Sequence, residues 1–345
     1  MNSSKTILVT GGAGYIGSHT IIELIQTTSF NVVSIDNYSN STNKTFDRIE
    51  QITGKRILNY QIDICNKSEL EKVFEQYNNI VGIIHFAAFK SVGESVSDPQ
   101  KYYYNNINSL LNILDCSEKY KIKNFIFSSS CSVYGNIEEL PVKETSPIGK
   151  AESPYAFTKQ VGEEIIKDYA KAYSHIQTIA LRYFNPVGAH VSGLNGELPI
   201  NKPNNLVPII TNTAIGKIAQ MTVFGNDYPT RDGTCIRDYV HVTDIAIAHI
   251  KALDLLIENK NKLHFSILNL GSGNGVSVLE AISAFEKVSG LKLKFEIGKK
   301  REGDVGAIYS DNSITEKILG WTPKYNLEDM MRSAWKWELE QQKDN

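Results

Sequence analysis

A tyrosine and a lysine four residues apart are the side chains in this 345-residue sequence best suited to acid–base chemistry. Tyr155 and Lys159 fall inside a predicted helix, where residues at i and i+4 share one face. An ammonium beside a phenol favours the ionised phenol, and moving its pKa from about 10 toward 7 takes roughly 4 kcal/mol. A serine run at 128–130 closes the preceding predicted strand. The pair predicts a tyrosine base, although the same spacing in isolation is usually structural.

A glycine-rich turn near the N-terminus indicates a dinucleotide site. Gly11, Gly14 and Gly17 form a GxxGxxG spacing between the first predicted strand and the first helix. Glycines permit a tight turn and let backbone amides approach a pyrophosphate at the positive end of a helix. Asp36 closes the second predicted strand, where its carboxylate can accept hydrogen bonds from an adenosine ribose and would repel a 2′-phosphate. We therefore expect NAD as cofactor; the alternative for Asp36 is a turn aspartate.

The elements that would position these groups alternate between β-branched runs and longer amphipathic stretches. Candidate strands are Thr6–Thr10, Asn31–Asp36, Ile57–Gln61, Val81–Phe86, Phe125–Ser129 and Thr178–Tyr183. Candidate helices are Ser18–Gln26, Ser68–Gln76, Pro99–Lys119 and Pro154–Tyr173, with Ser68, Asp98 and Ser153 as N-caps. This alternation predicts the α/β class, with a Rossmann-like doubly wound parallel sheet.

After about Gly188 the sequence becomes richer in Gly, Pro and Asn, and its candidate elements become shorter. We predict two domains, a dinucleotide-binding Rossmann domain over 1–188 and a smaller mixed α/β substrate lobe over 189–345, with a segment near 235–250 that could return to the first domain. Helices are expected at Asp244–Glu258, Val278–Ser289, Ser310–Leu319 and Leu327–Lys343. The glycine-rich run 271–275 is either a second phosphate loop or a plain turn before a Ser277 cap.

Composition narrows the partners. A net charge of -2 provides no field for wrapping nucleic acid, and no apolar run reaches the roughly 20 residues that span a bilayer. The four cysteines are widely spaced, and the histidines lack metal-ligand spacing, so we expect free thiols and no metal. No signal-like segment opens the sequence, and a cytoplasmic protein is expected.

Several segments together resemble the extended short-chain dehydrogenase/reductase family, and within it the enzymes that epimerise nucleotide sugars, over essentially the whole chain. The segments are 9–19, 36–37, 85–87, 90–95, 128–135, 153–155, 181–188, 233–244 and 301–304. The resemblance implies tightly bound NAD and reversible C4 epimerisation of UDP-glucose and UDP-galactose through a 4-keto intermediate, a reaction of galactose metabolism. Tyr155 is then the base, Lys159 its electrostatic partner, and Ser130 the hydroxyl that bridges the base and the sugar O4.

The resemblance also implies the binding residues. Those for NAD are Gly11, Gly14, Tyr15, Ile16, Gly17, Asp36, Asn37, Ser41, Asp63, Ile64, Phe86, Ala87, Lys90, Asn105, Ser128, Tyr155, Lys159 and Tyr183. Those for the UDP-sugar are Lys90, Ser130, Tyr155, Phe184, Asn185, Asn205, Leu206, Phe224, Arg237, Tyr239, Arg301 and Asp304. The chemistry agrees for Arg237 and Arg301, since forked guanidinium donors suit a diphosphate. The alternative for Arg237 is a surface ion pair with Asp238.

Three alternatives remain open at the level of the sequence. A 4,6-dehydratase or decarboxylase would share the framework, but family dehydratases place a carboxylate where Cys131 and Ser132 stand here. A non-catalytic NAD-binding scaffold would not need Ser130, Tyr155 and Lys159 together. Acceptance of N-acetylated sugars is open because Ile308 occupies the position that gates them in related enzymes.

Apolar stripes on Pro99–Lys119 and Pro154–Tyr173 predict a homodimer, although burial within one chain explains them equally well.

Overall fold

The computed structural model describes residues 5–199, 203–258, 260, 264–301 and 304–343, and its largest unit is a seven-stranded parallel sheet. With strands numbered in chain order, this sheet contains β1 (Thr6–Thr10), β2 (Asn31–Ile35), β3 (Leu58–Tyr60), β4 (Ile80–His85), β5 (Asn124–Ser130), β6 (Gln177–Tyr183) and β10 (Phe265–Leu270). Their spatial order is β10-β6-β5-β4-β1-β2-β3. The order reverses between β1 and β4, as in doubly wound dinucleotide-binding folds. The predicted fold class is confirmed.

Helices cover both faces of this sheet. They are α1 (Tyr15–Thr27), α2 (Lys44–Thr53), α3 (Lys67–Glu75), α4 (Val92–Ser97), α5 (Pro99–Lys119), α6 (Pro154–Ala172) and α8 (Val242–Ile257), with α7 (Leu206–Ala214), α9 (Val278–Ser289), α10 (Ser313–Leu319) and α11 (Leu327–Gln341) further along the chain. One apolar cluster lies under α1 and α8 and a second under α3, α5 and α6. Burial on both faces explains why the strands are continuous apolar runs.

Most predicted boundaries lie within two residues of the observed ones, and three start points were wrong. Helix α3 is capped by Asn66, whose side chain accepts from the Glu69 amide, whereas Ser68 only donates to Asn66. Helix α1 starts at Tyr15 rather than at Ser18, directly after the glycine turn. Helix α10 starts at Ser313 rather than at Ser310, because the amide and hydroxyl of Ser310 bind the Asp238 carboxylate. The Asp98 and Ser153 caps are confirmed.

Shorter sheets form the remainder. Strands β7 (Asn185–Val187), β9 (Ile236–His241), β11 (Gly275–Ser277) and β13 (Ala307–Ile308) pair around β9, and β8 (Met221–Phe224) pairs with β12 (Phe295–Gly298). Helices α7, α9 and α11 enclose a third apolar cluster beside them. Helix α8 packs on α1 and β10 pairs with β6. The division at Gly188 remains a proposal, now with α8 and β10 assigned to the first domain. Within the described residues, no helix combines the length and apolarity needed to cross a membrane.

The Asp244 carboxylate at the start of α8 predicts a pH-dependent stability. Its Oδ2 accepts from the amides of Lys324 and Tyr325, and burial raises its pKa from 3.8 to about 6. A carboxyl with a raised pKa binds more protons in the folded than in the unfolded chain, so stability falls as pH rises from about 4 to about 6. Asp244→Asn keeps an acceptor without the charge. We expect this variant to flatten that part of the stability profile in urea titrations; an unchanged slope would contradict the assignment.

Candidate active site

The residues predicted to bind the cofactor follow the carboxyl ends of adjacent strands. The glycine turn follows β1, Asp36 follows β2, Asp63 and Ile64 follow β3, Phe86, Ala87 and Lys90 follow β4, Ser128 and Ser130 end β5, and Tyr183 ends β6. In open parallel sheets, ligands bind at this edge and where the strand order reverses. The fold therefore brings these separately predicted residues to one cleft edge. Asn105 lies beside them on α5, where its amide donates to Asn106.

The glycine turn has the shape that a dinucleotide requires. Gly11 has φ +71°, and a Cβ there would lie 2.8 Å from the Ala87 nitrogen. A Cβ on Gly17 would lie 2.2 Å from the Gly11 oxygen, so the turn could not close with any other residue. Gly14 caps α1 without a side chain, and the first turn of α1 carries no acidic residue. The first amides of α1 are thus unopposed by protein charge, which fits a pyrophosphate.

The Asp36 carboxylate organises the ribose end of this cradle. It accepts from the Ala13 amide at 2.9 Å, from the Tyr38 amide at 2.9 Å and from the Ser41 hydroxyl at 2.8 Å. The structure thus brings Asp36 and Ser41 together, as predicted, with Asn37 between them in sequence. The carboxylate predicted to bind the ribose thus also fixes, through Ala13, the glycine turn predicted to bind the pyrophosphate.

Asp36→Ala is expected to weaken NAD binding by about tenfold to a hundredfold, because it removes both the ribose acceptor and the anchor of Ala13. The measurement is the NAD released on denaturing the purified protein, together with a titration of the stripped protein. Asp47→Ala, an exposed carboxylate on α2, is the control and should leave the NAD content unchanged. Full NAD retention by the Asp36 variant would contradict the assignment.

Tyr155, Lys159 and Ser130 meet at the end of β5. Ser130 lies close enough to the half-buried Tyr155 phenol to favour its ionised form, and Tyr155 is on the first turn of α6. The Lys159 ammonium is buried, donates to the Ser128 carbonyl at 2.6 Å and lies 5.9 Å from the centre of the Tyr155 ring. The helix spacing thus places both groups on the cleft face, with the lysine beneath the tyrosine rather than on its hydroxyl.

The lowered pKa expected for the tyrosine, with a lysine and a nicotinamide cation acting together, is not reached in the protein alone. Burial raises the pKa of Tyr155 to about 12, despite the opposing hydrogen bond from Ser130. Burial also lowers the pKa of Lys159 to about 8, against the attraction of Glu163. The Lys159 ammonium is committed to a carbonyl, so an ionised phenol needs further positive charge at the site. A nicotinium ring would supply that charge.

A buried network behind the catalytic residues could not be identified from the motifs. Glu163 lies four residues after Lys159 on the same helix face, and it forms two hydrogen bonds with Arg182 at 2.9 and 2.6 Å. Ser129 donates to the same carboxylate at 2.5 Å. The sequence held two signals: Glu163 follows Lys159 by four residues, and Arg182 is a charged residue inside an otherwise apolar predicted strand. The network fixes β5, β6 and α6 where Ser130 and Tyr155 must meet.

Two further positioning residues also escaped the sequence analysis. His249 on α8 accepts from the Tyr183 hydroxyl at 2.6 Å while its other ring nitrogen faces the Ile245 carbonyl, and burial lowers its pKa to about 4. Asn106 bonds both the amide and the carbonyl of Phe89, and it donates to Thr158 at 3.1 Å. Asn106 thereby joins the loop that carries Lys90 to the helix that carries Tyr155.

The predicted substrate residues beyond the sheet edge lie on β9, on its partner β7, on β8, at the start of α7 and in the segment 301–304. Arg237 contacts Asp304 at 3.5 Å, and the Arg301 guanidinium lies 3.9 Å from the centre of the Phe224 ring. The side-chain oxygen of Asn185 is buried and has no hydrogen-bond partner in the protein. Tyr239 pairs with Asn185 in register across β9 and β7, Phe184 packs in one cluster with Ile308, and Asn205 and Leu206 open α7. A buried acceptor without a partner suits a polar ligand, and two arginines suit an anionic one.

Two alternatives from the sequence do not hold. Arg237 and Asp238 do not form a surface ion pair, and the run 271–275 is not a phosphate loop. Asp238 points away from Arg237, is fully buried, and accepts from the amides of Ser272, Gly273 and Ser310. The backbone donors that a phosphate would need are thus occupied by a protein carboxylate. The run is a turn, and Ser277 after it forms a capping box with Glu280.

A dinucleotide cradle and a Tyr/Lys/Ser set on a doubly wound sheet define an extended short-chain dehydrogenase/reductase. Comparisons narrow this class. A family model described as GDP-mannose 4,6 dehydratase matches residues 8–334. UDP-glucose 4-epimerase of Pasteurella multocida is 48% identical over 332 residues, which cover 96% of this chain and 97% of that protein.

Two solved structures of UDP-glucose 4-epimerases are also similar to this chain. The UDP-glucose 4-epimerase of Stenotrophomonas maltophila, with bound NAD and formylated UDP-arabinopyranose, has a TM-score of 0.94 at 41% identity and covers 99% of this chain and 100% of its own. That of Bifidobacterium longum, in complex with NAD+ and UDP, has a TM-score of 0.92 at 44% identity, with 97% and 98% coverage. The chain belongs to the UDP-glucose 4-epimerase family. The family and the enzyme class predicted from the sequence, an NAD-dependent isomerase, are confirmed.

Proposed function

We propose that this chain interconverts UDP-glucose and UDP-galactose by inverting C4 of the hexose. The observation that carries the proposal is the placement of Ser130 beside the Tyr155 phenol at the carboxyl edge of the sheet, together with the unpartnered Asn185 oxygen. The glycine turn and Asp36 fit NAD. These residues would hold NAD, which would supply the reversible hydride acceptor that inversion at C4 requires.

The residues of the chain move the proton and hold the nucleotide. Tyr155, once ionised, removes the proton from the sugar O4 while C4 is oxidised, and it returns that proton when C4 is reduced. Ser130 bridges the phenol and O4. Lys159 holds the Ser128 carbonyl and keeps positive charge below the phenol ring. Each half-reaction thus needs one proton transfer between the same two oxygens.

Inversion requires the 4-keto hexose to present its other face. Arg237, Arg301, Asn185 and Asp304 supply charged and polar contacts for the UDP portion, so the nucleotide stays fixed while the hexose turns about its phosphate bonds. A pocket that accepts both faces must hold the sugar through few directional contacts. Phe184 and Ile308, which pack in one apolar cluster, agree with this requirement.

The proposal is tested by incubating the purified protein with UDP-galactose and no added cofactor. Formation of UDP-glucose to an equilibrium mixture is the expected result. No conversion by a protein shown to contain NAD would overturn it, and loss of water from the sugar would indicate the dehydratase alternative instead.

We further propose a cytoplasmic homodimer. Tyr104 on α5 and Phe157 on α6 are 63% and 46% exposed, and Tyr103 and Phe157 meet edge to face at 6.1 Å, so neighbouring helices present one aromatic surface. Aromatic side chains are enriched at the cores of protein interfaces. A monomeric mass in solution at working concentration would contradict the dimer.

A further inference from the structure

Glu197 lies where the cofactor side of the cleft meets the substrate side. One oxygen, Oε1, accepts from the Lys90 ammonium at 3.2 Å and from the Asn205 side-chain amide at 2.7 Å. Lys90 stands on the loop after β4, and Asn205 stands at the start of α7. No motif marks Glu197, because it falls in an irregular segment between Gly188 and α7.

The backbone of Glu197 is rigidly supported. Its carbonyl accepts from the Trp337 indole of α11 at 2.9 Å, and Gly196 lies against the same indole so closely that a Cβ would come within 2.5 Å of it. Only 13% of the Glu197 side chain is exposed. A partly buried carboxylate on a fixed backbone can hold its partners in one place, unlike a mobile surface ion pair.

The hydrogen bond from Asn205 to Glu197 takes the place of a helix-capping bond that asparagine usually makes. Asparagine at an N-cap usually accepts from the first turn of its helix, which contributes about 1 kcal/mol. Asn205 occupies the N-cap of α7 but makes no such bond, and its side-chain amide donates to Glu197 instead. Local helix stability is thus given up for a link across the cleft.

The glycine turn reaches the same junction. Tyr15 at the start of α1 donates to the Gly188 carbonyl at 2.6 Å, and the Lys90 ammonium lies 5.9 Å from the centre of its ring. Glu197 is close enough that its charge adds to burial in raising the pKa of Tyr15. Cofactor-side groups and substrate-side groups therefore share one acidic centre.

We propose that Glu197 is a positioning residue that couples the two halves of the cleft, fixing Lys90 toward the cofactor and Asn205 toward the nucleotide of the substrate. The inference rests on the proposed function for the identity of these ligands. An unpaired carboxylate here would repel the pyrophosphate of NAD and the diphosphate of UDP. The ion pair with Lys90 neutralises that charge. Occupation of either half then depends on the same carboxylate.

Glu338→Ala is the matched control for Glu197→Ala. Glu338 on α11 also holds α7, through Thr211 at 3.2 Å and Lys217 at 3.0 Å, and its side chain is 12% exposed. We expect Glu197→Ala to weaken UDP binding in calorimetry by about tenfold and to lower the NAD retained through gel filtration. The KM for UDP-galactose should rise with a smaller change in kcat. Glu197→Gln, which keeps an acceptor oxygen, should recover much of the loss.

Equal UDP affinity and NAD content in the two alanine variants would overturn the proposal. If Glu197→Ala does not fold, a cycle of Glu197→Met, which keeps the side-chain volume without an acceptor oxygen, and Lys90→Met decides: effects on UDP affinity that simply multiply would contradict coupling, and a double variant no weaker than the weaker single variant would support it. UDP and NAD binding are read directly. A wild-type protein that binds both without converting UDP-galactose would therefore overturn the proposed function and leave this inference standing.

Discussion

Tyr155→Phe is expected to lower turnover of UDP-galactose by about a hundredfold to ten-thousandfold, the usual contribution of a positioned acid–base group. The substitution removes one hydroxyl and keeps the aromatic ring, whose centre lies 5.9 Å from the Lys159 ammonium. UDP affinity and NAD content should stay close to those of the wild type, because the proposed UDP ligands Arg237, Arg301, Asn185 and Asp304 are unchanged.

A second tyrosine on the same helix provides the control. Tyr169 donates to Asp115 at 2.7 Å, away from the cleft, so Tyr169→Phe removes a comparable hydrogen bond without touching the site. Its turnover should be unchanged. Near-normal turnover in Tyr155→Phe would refute the assignment of the base, whereas loss of NAD from that variant would make the loss of activity uninformative about proton transfer.

Arg182→Met is expected to destabilise the fold by about 3–5 kcal/mol, because it leaves a buried carboxylate without its partner. Arg182 and Glu163 have side chains only 2% and 6% exposed and form a bidentate pair. The free energy of unfolding from denaturant titration measures the effect. The double replacement Glu163→Met with Arg182→Met should be more stable than the single variant, since it removes the unpaired charge.

An exposed pair gives the comparison for this second prediction. Arg56 binds Asp47 and Glu50, but its side chain is 64% exposed, and Arg56→Met should change stability only slightly. If Arg182→Met were no more damaging than Arg56→Met, the buried network would not be the element that holds β5, β6 and α6 together.

The fold was largely predictable because its core elements are long and strongly patterned. Helices α5 and α9 were predicted to the residue and β1 likewise, since each is bounded by a clear cap or a sharp change in apolar content. The short elements were missed. Helix α4 has six residues, β7 has three and β13 has two, so each is too short to show a recognisable hydrophobic pattern. The positions of β7 and β13 are set by tertiary pairing with β9, and α4 packs against α5 and α6.

The site divides in the same way. The glycine turn, Asp36 and the Tyr155/Lys159 pair are local patterns and could be found along the chain. The protonation states of Tyr155 and Lys159 could not be predicted along the chain, because the pKa of Tyr155 depends on burial and on where the Lys159 ammonium points. Glu163 and Glu197 acquire their roles only from partners distant in sequence, Arg182 and Lys90. No spacing reveals such contacts.

The fate of the hydrogen on C4 tests the central claim most directly. UDP-galactose carrying deuterium at C4 is converted in ordinary water, and the UDP-glucose formed is analysed by mass spectrometry and NMR. Internal oxidation and reduction at C4, with only the O4 proton handled by Tyr155, predicts that the deuterium remains at C4. Replacement of the deuterium by solvent hydrogen would contradict this account.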